Sequence, residues 1–312
     1  MFCILLFLLS AQAYAQEKSI YEIKVEAFKE NGQQEKVIPY LQAELKTQPK
    51  NENLLRLMGF QYLQINNLEM GERYYREALV VNPACARCYL NIGRIYVQKN
   101  DFKQALNYLD KALDIEPKDD LLFSNRAQIK EALGDKFGAL ADHNTAIELA
   151  PKNANAYTER GIYNVNQKYK ALALADFNQA INIDQNNYYP YFYRSRIKFE
   201  SNDLDGALMD INKAIELGAQ QYQLYNFRGT IYTTLKQFSK ALEDISTAIK
   251  LNPNSFLAYL NRAEVYYALE NMDASCQDYA QAKAMAQKEK INDPALFKNI
   301  EDSMLDFCNP EA

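Results

Sequence analysis

From Glu52 to Glu289 the apolar positions recur in steps of three and four, interrupted by short polar turns. After Pro83, Tyr89, Ile92, Gly93, Tyr96 and Val97 form one helical stripe. Lys99-Asn100-Asp101 breaks it, and Phe102, Ala105, Leu106, Leu109, Ala112 and Leu113 form a second. The pattern predicts two amphipathic helices joined by a tight turn, and the pair repeats. Pro49, Pro83, Pro117, Pro151 and Pro253 stand 34 residues, or a multiple of 34, apart, with Gln185 and Ala219 in the two missing places. Ten residues beyond each stand Gly59, Gly93, Ala127, Gly161, Ser195, Gly229 and Ala263, all small. Twenty-nine beyond stand seven alanines: Ala78, Ala112, Ala146, Ala180, Ala214, Ala248 and Ala282. Six beyond, the side chain is large: Leu55, Tyr89, Phe123, Tyr157, Tyr191, Tyr225 and Tyr259.

Small residues belong where two helix axes approach closely, since a larger side chain would wedge them apart. Proline stops the second helix of each pair by biasing its predecessor away from helical geometry. Where it is missing, Gly218 and the Asn186-Asn187 pair serve as terminators. One helix pair cannot bury its apolar faces alone, so neighbouring pairs must stack into a continuous core, and the last face needs a cover. Asp293 and Pro294 read as the start of such a covering helix, with Phe297, Ile300, Met304 and Phe307 on one side.

A 34-residue period with this order of large, small, Ala and Pro is similar to the tetratricopeptide repeat family. The resemblance implies an all-α fold, a right-handed α-solenoid of antiparallel helix pairs with a C-terminal capping helix. The units run 52–85, 86–119, 120–153, 154–187, 188–221, 222–255 and 256–289. Residues 18–51 form a degenerate unit, with Val25 and Glu44 where small residues are expected, so the array spans 16–289 and the cap 290–312.

Residues 1–15 stand apart. Phe2 to Leu9 is unbroken apolar sequence, followed by Ala13-Tyr14-Ala15 and then Gln16, which resembles a secretory signal peptide. The expectation is an exported protein, in a bacterial periplasm or secreted, without stable membrane insertion.

Charge and composition narrow the function. With 35 basic against 40 acidic residues the net charge is −5, which gives no electrostatic case for nucleic acid. The single histidine, His143, rules out a multi-histidine metal site, and its column elsewhere is apolar, which reads as core. No catalytic residue, metal or cofactor is expected. Four cysteines follow the leader. Cys276 and Cys308 lie symmetrically about the turn near residue 292, so an antiparallel hairpin would let them bridge and staple the cap. Cys85 and Cys88 form a C-x-x-C at a helix entry; without a βαβ context this reads as a local disulfide or a pair of inert thiols.

Two polar columns change together. Arg126, Arg160, Arg194, Arg228 and Arg262 lie nine residues past the anchor, and Asp142, Asp176, Asp210, Asp244 and Asp278 lie 25 past it. Both switch in the two earlier units, to Met58 with Tyr74 and Ile92 with Tyr108, which predicts a structural Arg–Asp ladder inside units. The resemblance also implies that first helices line a groove, here Arg56, Phe60, Arg87, Arg94, Tyr189, Phe192, Arg196, Phe199 and Tyr267. The Lys and Asn of the chaperone carboxylate clamp are absent from these columns. The expected function is a non-enzymatic scaffold binding a protein or extended peptide. The alternatives are a thiol oxidoreductase through Cys85 and Cys88, or a carrier of a small apolar or glycan ligand.

Overall fold

The computed structural model describes residues 19–218, 220–288 and, further on, 291, 294, 297, 298, 300–302 and 308. The leader at 1–15 lies outside the described residues, as do Asp293, Met304 and Phe307 of the expected cap. Among the described residues every regular element is helical.

α1 (Ile20–Glu30) and α2 (Val37–Thr47) come first, linked through a short 3-10 turn at Gln34–Lys36. A capping box opens α1: Ser19 accepts the Glu22 amide while the Glu22 side chain takes the Ser19 amide. Seven helix pairs follow. They are α3 (Glu52–Gln64) with α4 (Leu68–Val81), α5 (Ala86–Gln98) with α6 (Phe102–Ile115), and α7 (Asp120–Ala132) with α8 (Lys136–Leu149). Next come α9 (Ala154–Asn166) with α10 (Lys170–Ile183), α11 (Tyr188–Glu200) with α12 (Leu204–Leu217), α13 (Tyr222–Thr234) with α14 (Phe238–Leu251), and α15 (Phe256–Ala268) with α16 (Met272–Lys288). Each first helix starts 34 residues after the previous one, and each second helix does the same.

The turn inside each pair is built one way seven times. A residue with positive φ ends the first helix: Asn66, Asn100, Gly134, Lys168, Asn202, Lys236 or Glu270. The amide after it reaches back to a carbonyl five residues earlier, as from Asn67 to Tyr62 at 2.8 Å and from Asp101 to Tyr96 at 2.9 Å. That following residue then caps the second helix. Asn67, Asp101, Asp135 and Asp203 accept an amide from its first turn; Tyr169 and Gln237 do not.

The chain divides into two compact units, 1–160 and 161–312, with the division inside α9. In the first, α3 packs on α4, α5 on α6 and α7 on α8, while α4 meets α5 and α6 meets α7. In the second, α11 packs on α12, α13 on α14 and α15 on α16, with α12 against α13 and α14 against α15. The chain is an all-α solenoid of helix pairs. Close approach within a pair depends on the small column. A Cβ on Gly93 would strike Leu109 Cδ2, and one on Gly161 would lie 2.6 Å from Phe177 Cε1. Ala78, Ala112, Ala146, Ala180, Ala214, Ala248 and Ala282 are all fully buried.

Beyond α16, Pro294, Phe297, Lys298 and residues 300–302 are helical. Ile300 is buried against Ala263 and Tyr279, Lys283 pairs with Glu301 at 2.8 Å, and a disulfide joins Cys276 to Cys308. No helix among the described residues is long and apolar enough to cross a membrane.

Candidate functional site

A charged network sets the position of the first helices. Arg126 grips the buried Asp142 with two parallel bonds, Nε to Oδ2 and Nη2 to Oδ1, both 2.8 Å. Arg194 holds Asp210, Arg228 holds Asp244 and Arg262 holds Asp278 in the same manner. The remaining nitrogen, Nη1, reaches sixteen residues back into the preceding pair: Arg126 to Asp110, Arg160 to Asn144, Arg194 to Asn178 and Arg228 to Asn212, at 2.7–2.9 Å. Each guanidinium also lies 5.3–5.8 Å from the centroid of the aromatic ring three residues before it, from Phe123 to Tyr259. Arg160 and Asp176 fall on opposite sides of the division; within its own unit Asp176 accepts from Asn164 at 2.9 Å.

Opposite this network, the first helices of unit 1 carry polar side chains. Arg56 donates to Glu22 at 2.8 Å and to Asn53 at 2.7 Å. Phe60 is exposed with Lys29 5.4 Å from its ring centroid, and Arg87 is exposed. Arg94 is half-buried, its Nε 3.4 Å from Asn125 Oδ1, and burial lowers its pKa. Beside it lies Glu159. Burial pushes this carboxyl up to about 7, against hydrogen bonds to Ser124 and Gln128 and the charge of Arg94 that act to lower it. Its Oε2 is buried and has no hydrogen-bond partner among the described residues. Glu159 and Asn125 are absent from the sequence-derived groove. Their column, eight past the anchor, reads Leu57, Asn91, Asn125, Glu159, Tyr193, Phe227, Asn261 and carries no single chemistry to flag it.

In unit 2 the corresponding positions of the first helices are aromatic. Tyr189, Phe192, Arg196 and Phe199 lie half-buried on α11. Phe227 of α13 packs edge-on to both Phe192 and Phe199, with centroids 5.9 and 5.6 Å apart. The Arg196 guanidinium lies 6.0 Å from the centroid of Phe192 and 5.9 Å from that of Tyr193. The neighbouring stretch is polar: Asn261 donates to Asn226 at 3.0 Å and to Thr230 at 3.2 Å. Tyr267 on α15 is 42% exposed.

Two other sequence-derived candidates remain. His143 is fully buried, and burial lowers its pKa to about 4. Cys85 and Cys88 form a disulfide at the start of α5, where Cys85 Sγ accepts the Cys88 amide at 3.1 Å. Glu52, the first residue of α3, places Oε1 3.4 Å from Cys85 Sγ and 4.0 Å from Cys88 Sγ. Spacing alone gives no hint of that carboxylate, because it stands more than thirty residues upstream.

The model of the ETO1 C-terminal domain matches residues 85–268, well over half of the chain. The chain belongs to this family, whose fold is tetratricopeptide-like, and so to the tetratricopeptide repeat proteins. No curated protein sequence matches it. Solved structures share the fold. A tetratricopeptide repeat protein from Parabacteroides merdae is 19% identical with a TM-score of 0.60, over 80% of this chain and 96% of that one. Yeast Tom70 is 19% identical with a TM-score of 0.65, over 93% of this chain and 69% of its own. PilF of Pseudomonas aeruginosa is 17% identical with a TM-score of 0.57, over 68% and 97%.

Proposed function

We propose that the chain is an exported, non-enzymatic scaffold that holds an extended peptide, or an extended segment of a partner protein, against the first helices. The observation that carries this is the ledge in unit 2. Phe192, Phe227 and Phe199 interlock edge to face while remaining partly open to solvent, and Arg196 stands over Phe192. Half-buried aromatics beside Arg are the side chains that anchor interfaces. Such a ledge suits an apolar or aromatic side chain followed by a carboxylate, and the Asn226–Asn261 amides next to it match a peptide backbone. Pairing of Cys85 with Cys88 and Cys276 with Cys308 supports an oxidising compartment, periplasmic or extracellular.

The rival readings have less support. A carboxylate 3.4 Å from Cys85 Sγ disfavours the thiolate that an oxidoreductase needs. Part of the tyrosine surplus that a small-ligand carrier would use is packed away, with Tyr75, Tyr108, Tyr163, Tyr191 and Tyr279 buried.

The test is a displayed peptide library panned on the purified chain. Binders enriched in an aromatic residue next to an acid, and lost in Arg196→Glu and Phe227→Ala variants that keep their helicity, are the expected result. Binders indifferent to both substitutions would overturn the reading.

A further inference from the structure

We infer that reduction of Cys85–Cys88 opens a zinc site whose third protein ligand is Glu52. The three side chains come from two successive helix pairs: Glu52 from the start of α3, and Cys85 and Cys88 from the entry to α5. The ligand atoms lie within 4.8 Å of one another. Tetrahedral zinc, with bonds of about 2.3 Å to sulfur and about 2.0 Å to oxygen, sets ligand oxygen and sulfur about 3.5 Å apart and two sulfurs about 3.8 Å apart. Glu52 Oε1 already stands 3.4 and 4.0 Å from the two sulfurs. The oxygen is therefore in place, and the sulfurs have only to separate once their bond is broken.

The surroundings suit a dication. Two thiolates and a carboxylate bring three negative charges to one point, which disfavours the metal-free thiolate form and which Zn²⁺ offsets. Arg56 Nε, 4.0 Å from Glu52 Oε1, balances part of the remainder. The Cys88 amide on Cys85 Sγ and the N-terminus of α5 favour charge on sulfur. Cys88 is fully buried and Cys85 nearly so, while the Glu52 side chain is 31% exposed, which leaves one open side for a water as fourth ligand and for entry of the ion. Two sulfurs with one carboxylate select zinc over magnesium or calcium, which prefer all-oxygen shells.

The chemistry balances with a dithiol as reductant. Its two thiols exchange with the Cys85–Cys88 bond, the dithiol leaves as its own disulfide, and the two electrons and two protons remain on Cys85 and Cys88 as thiols. Zinc then binds both sulfurs and displaces the two protons to water. The oxidised chain lacks the site; the reduced chain has it.

The experiment uses the full chain carrying Cys3→Ser, Cys276→Ser and Cys308→Ser, so that one cysteine pair is read. Oxidised and dithiol-reduced samples are desalted without oxygen, loaded with zinc sulfate, dialysed and assayed for bound metal. Competition with a chromophoric chelator gives the affinity. The reduced protein is expected to hold one zinc per chain and the oxidised protein none, with Glu52→Gln weakening binding at least about tenfold. No zinc on the reduced chain, equal uptake by the oxidised chain, or an unchanged affinity in Glu52→Gln would each overturn the inference. Circular dichroism of oxidised Glu52→Gln establishes that the variant is folded.

Discussion

Arg194 and Asp210 meet through two parallel hydrogen bonds, Nε to Oδ2 at 2.7 Å and Nη2 to Oδ1 at 2.6 Å, sixteen residues apart. The third arm of the same guanidinium reaches Asn178, sixteen residues the other way, and Lys198 adds a second cation to Asp210 at 2.8 Å. One arginine thus ties its own second helix to that of the pair before it. The Asp side chain is 6% exposed and the Arg 19%, so the guanidinium has little access to bulk water to make up for a lost carboxylate.

Asp210→Asn is therefore expected to lower stability by about 3–5 kcal/mol, the range for breaking a buried pair on one side. Asn178→Ala, which loses one solvent-exposed hydrogen bond, is expected to cost about 0.5–1.5 kcal/mol. Urea denaturation of the two single variants and the double variant measures both and their coupling. A loss below about 1 kcal/mol for Asp210→Asn would make the pair equivalent to an exposed one.

The period of the helices is fully legible in the sequence, because each 34-residue unit repeats the packing demand that its neighbours impose. Gly93 must be small because Leu109 lies against it, and the same necessity recurs at Gly161 and Gly229. The Arg and Asp columns are visible as a pair, since they switch together at Met58 with Tyr74 and Ile92 with Tyr108. Their third partner is not, because Asp110, Asn144, Asn178 and Asn212 look like ordinary polar positions on a second helix. Phe227 and Glu159 are illegible for a related reason: their column reads Leu57, Asn91, Asn125, Glu159, Tyr193, Phe227 and Asn261, so no single chemistry repeats in it to be read.

The small column can be tested at Gly161. A Cβ there would fall 2.6 Å from Phe177 Cε1 and 2.9 Å from Cδ1, and Phe177 is itself fully buried with nowhere to retreat. Gly161→Ala is expected to lose about 1–3 kcal/mol by overpacking, despite the better helix propensity of Ala. Combining it with Phe177→Leu should recover part of that loss. Thermal melts of the three variants decide it, and a single variant as stable as the parent would show that the helices can move apart at no cost.

The repeated turn offers a stabilising change. Lys236 has φ of 57°, a left-handed conformation that costs a side-chain-bearing residue about 1 kcal/mol, and Gln237 leaves α14 without a side-chain cap. Gly134 and Asp135 fill the same two places in an earlier pair, where Asp135 accepts the Gly138 amide at 2.9 Å. Lys236→Gly is expected to gain a few tenths of a kcal/mol up to about 1 once the entropy of glycine is counted, and Gln237→Asp about 1 more. The combined variant should melt several degrees higher by differential scanning calorimetry.

Stability should respond to pH in two opposed ways within unit 1. His143 has a folded pKa of about 4 against an ordinary value of 6.5, with burial as the cause. Between those values the unfolded chain binds the proton and the folded chain does not, so this group removes stability as pH falls from 6.5 toward 4. Glu159 is raised by burial from 4.5 to about 7. Between those values the folded chain holds the proton, so this group removes stability as pH rises from 4.5 toward 7. The parent protein is therefore expected to show a shallow profile between about pH 4.5 and 6.5, where the slopes oppose each other. His143→Leu, matching Leu109 in the same column, should leave a melting temperature that falls as pH rises through 4.5–7. Glu159→Gln should leave one that falls as pH drops below 6.5. Melting temperatures of the parent and both variants at half-unit intervals separate the two groups, and parallel profiles for all three would show that neither side chain titrates differently on folding.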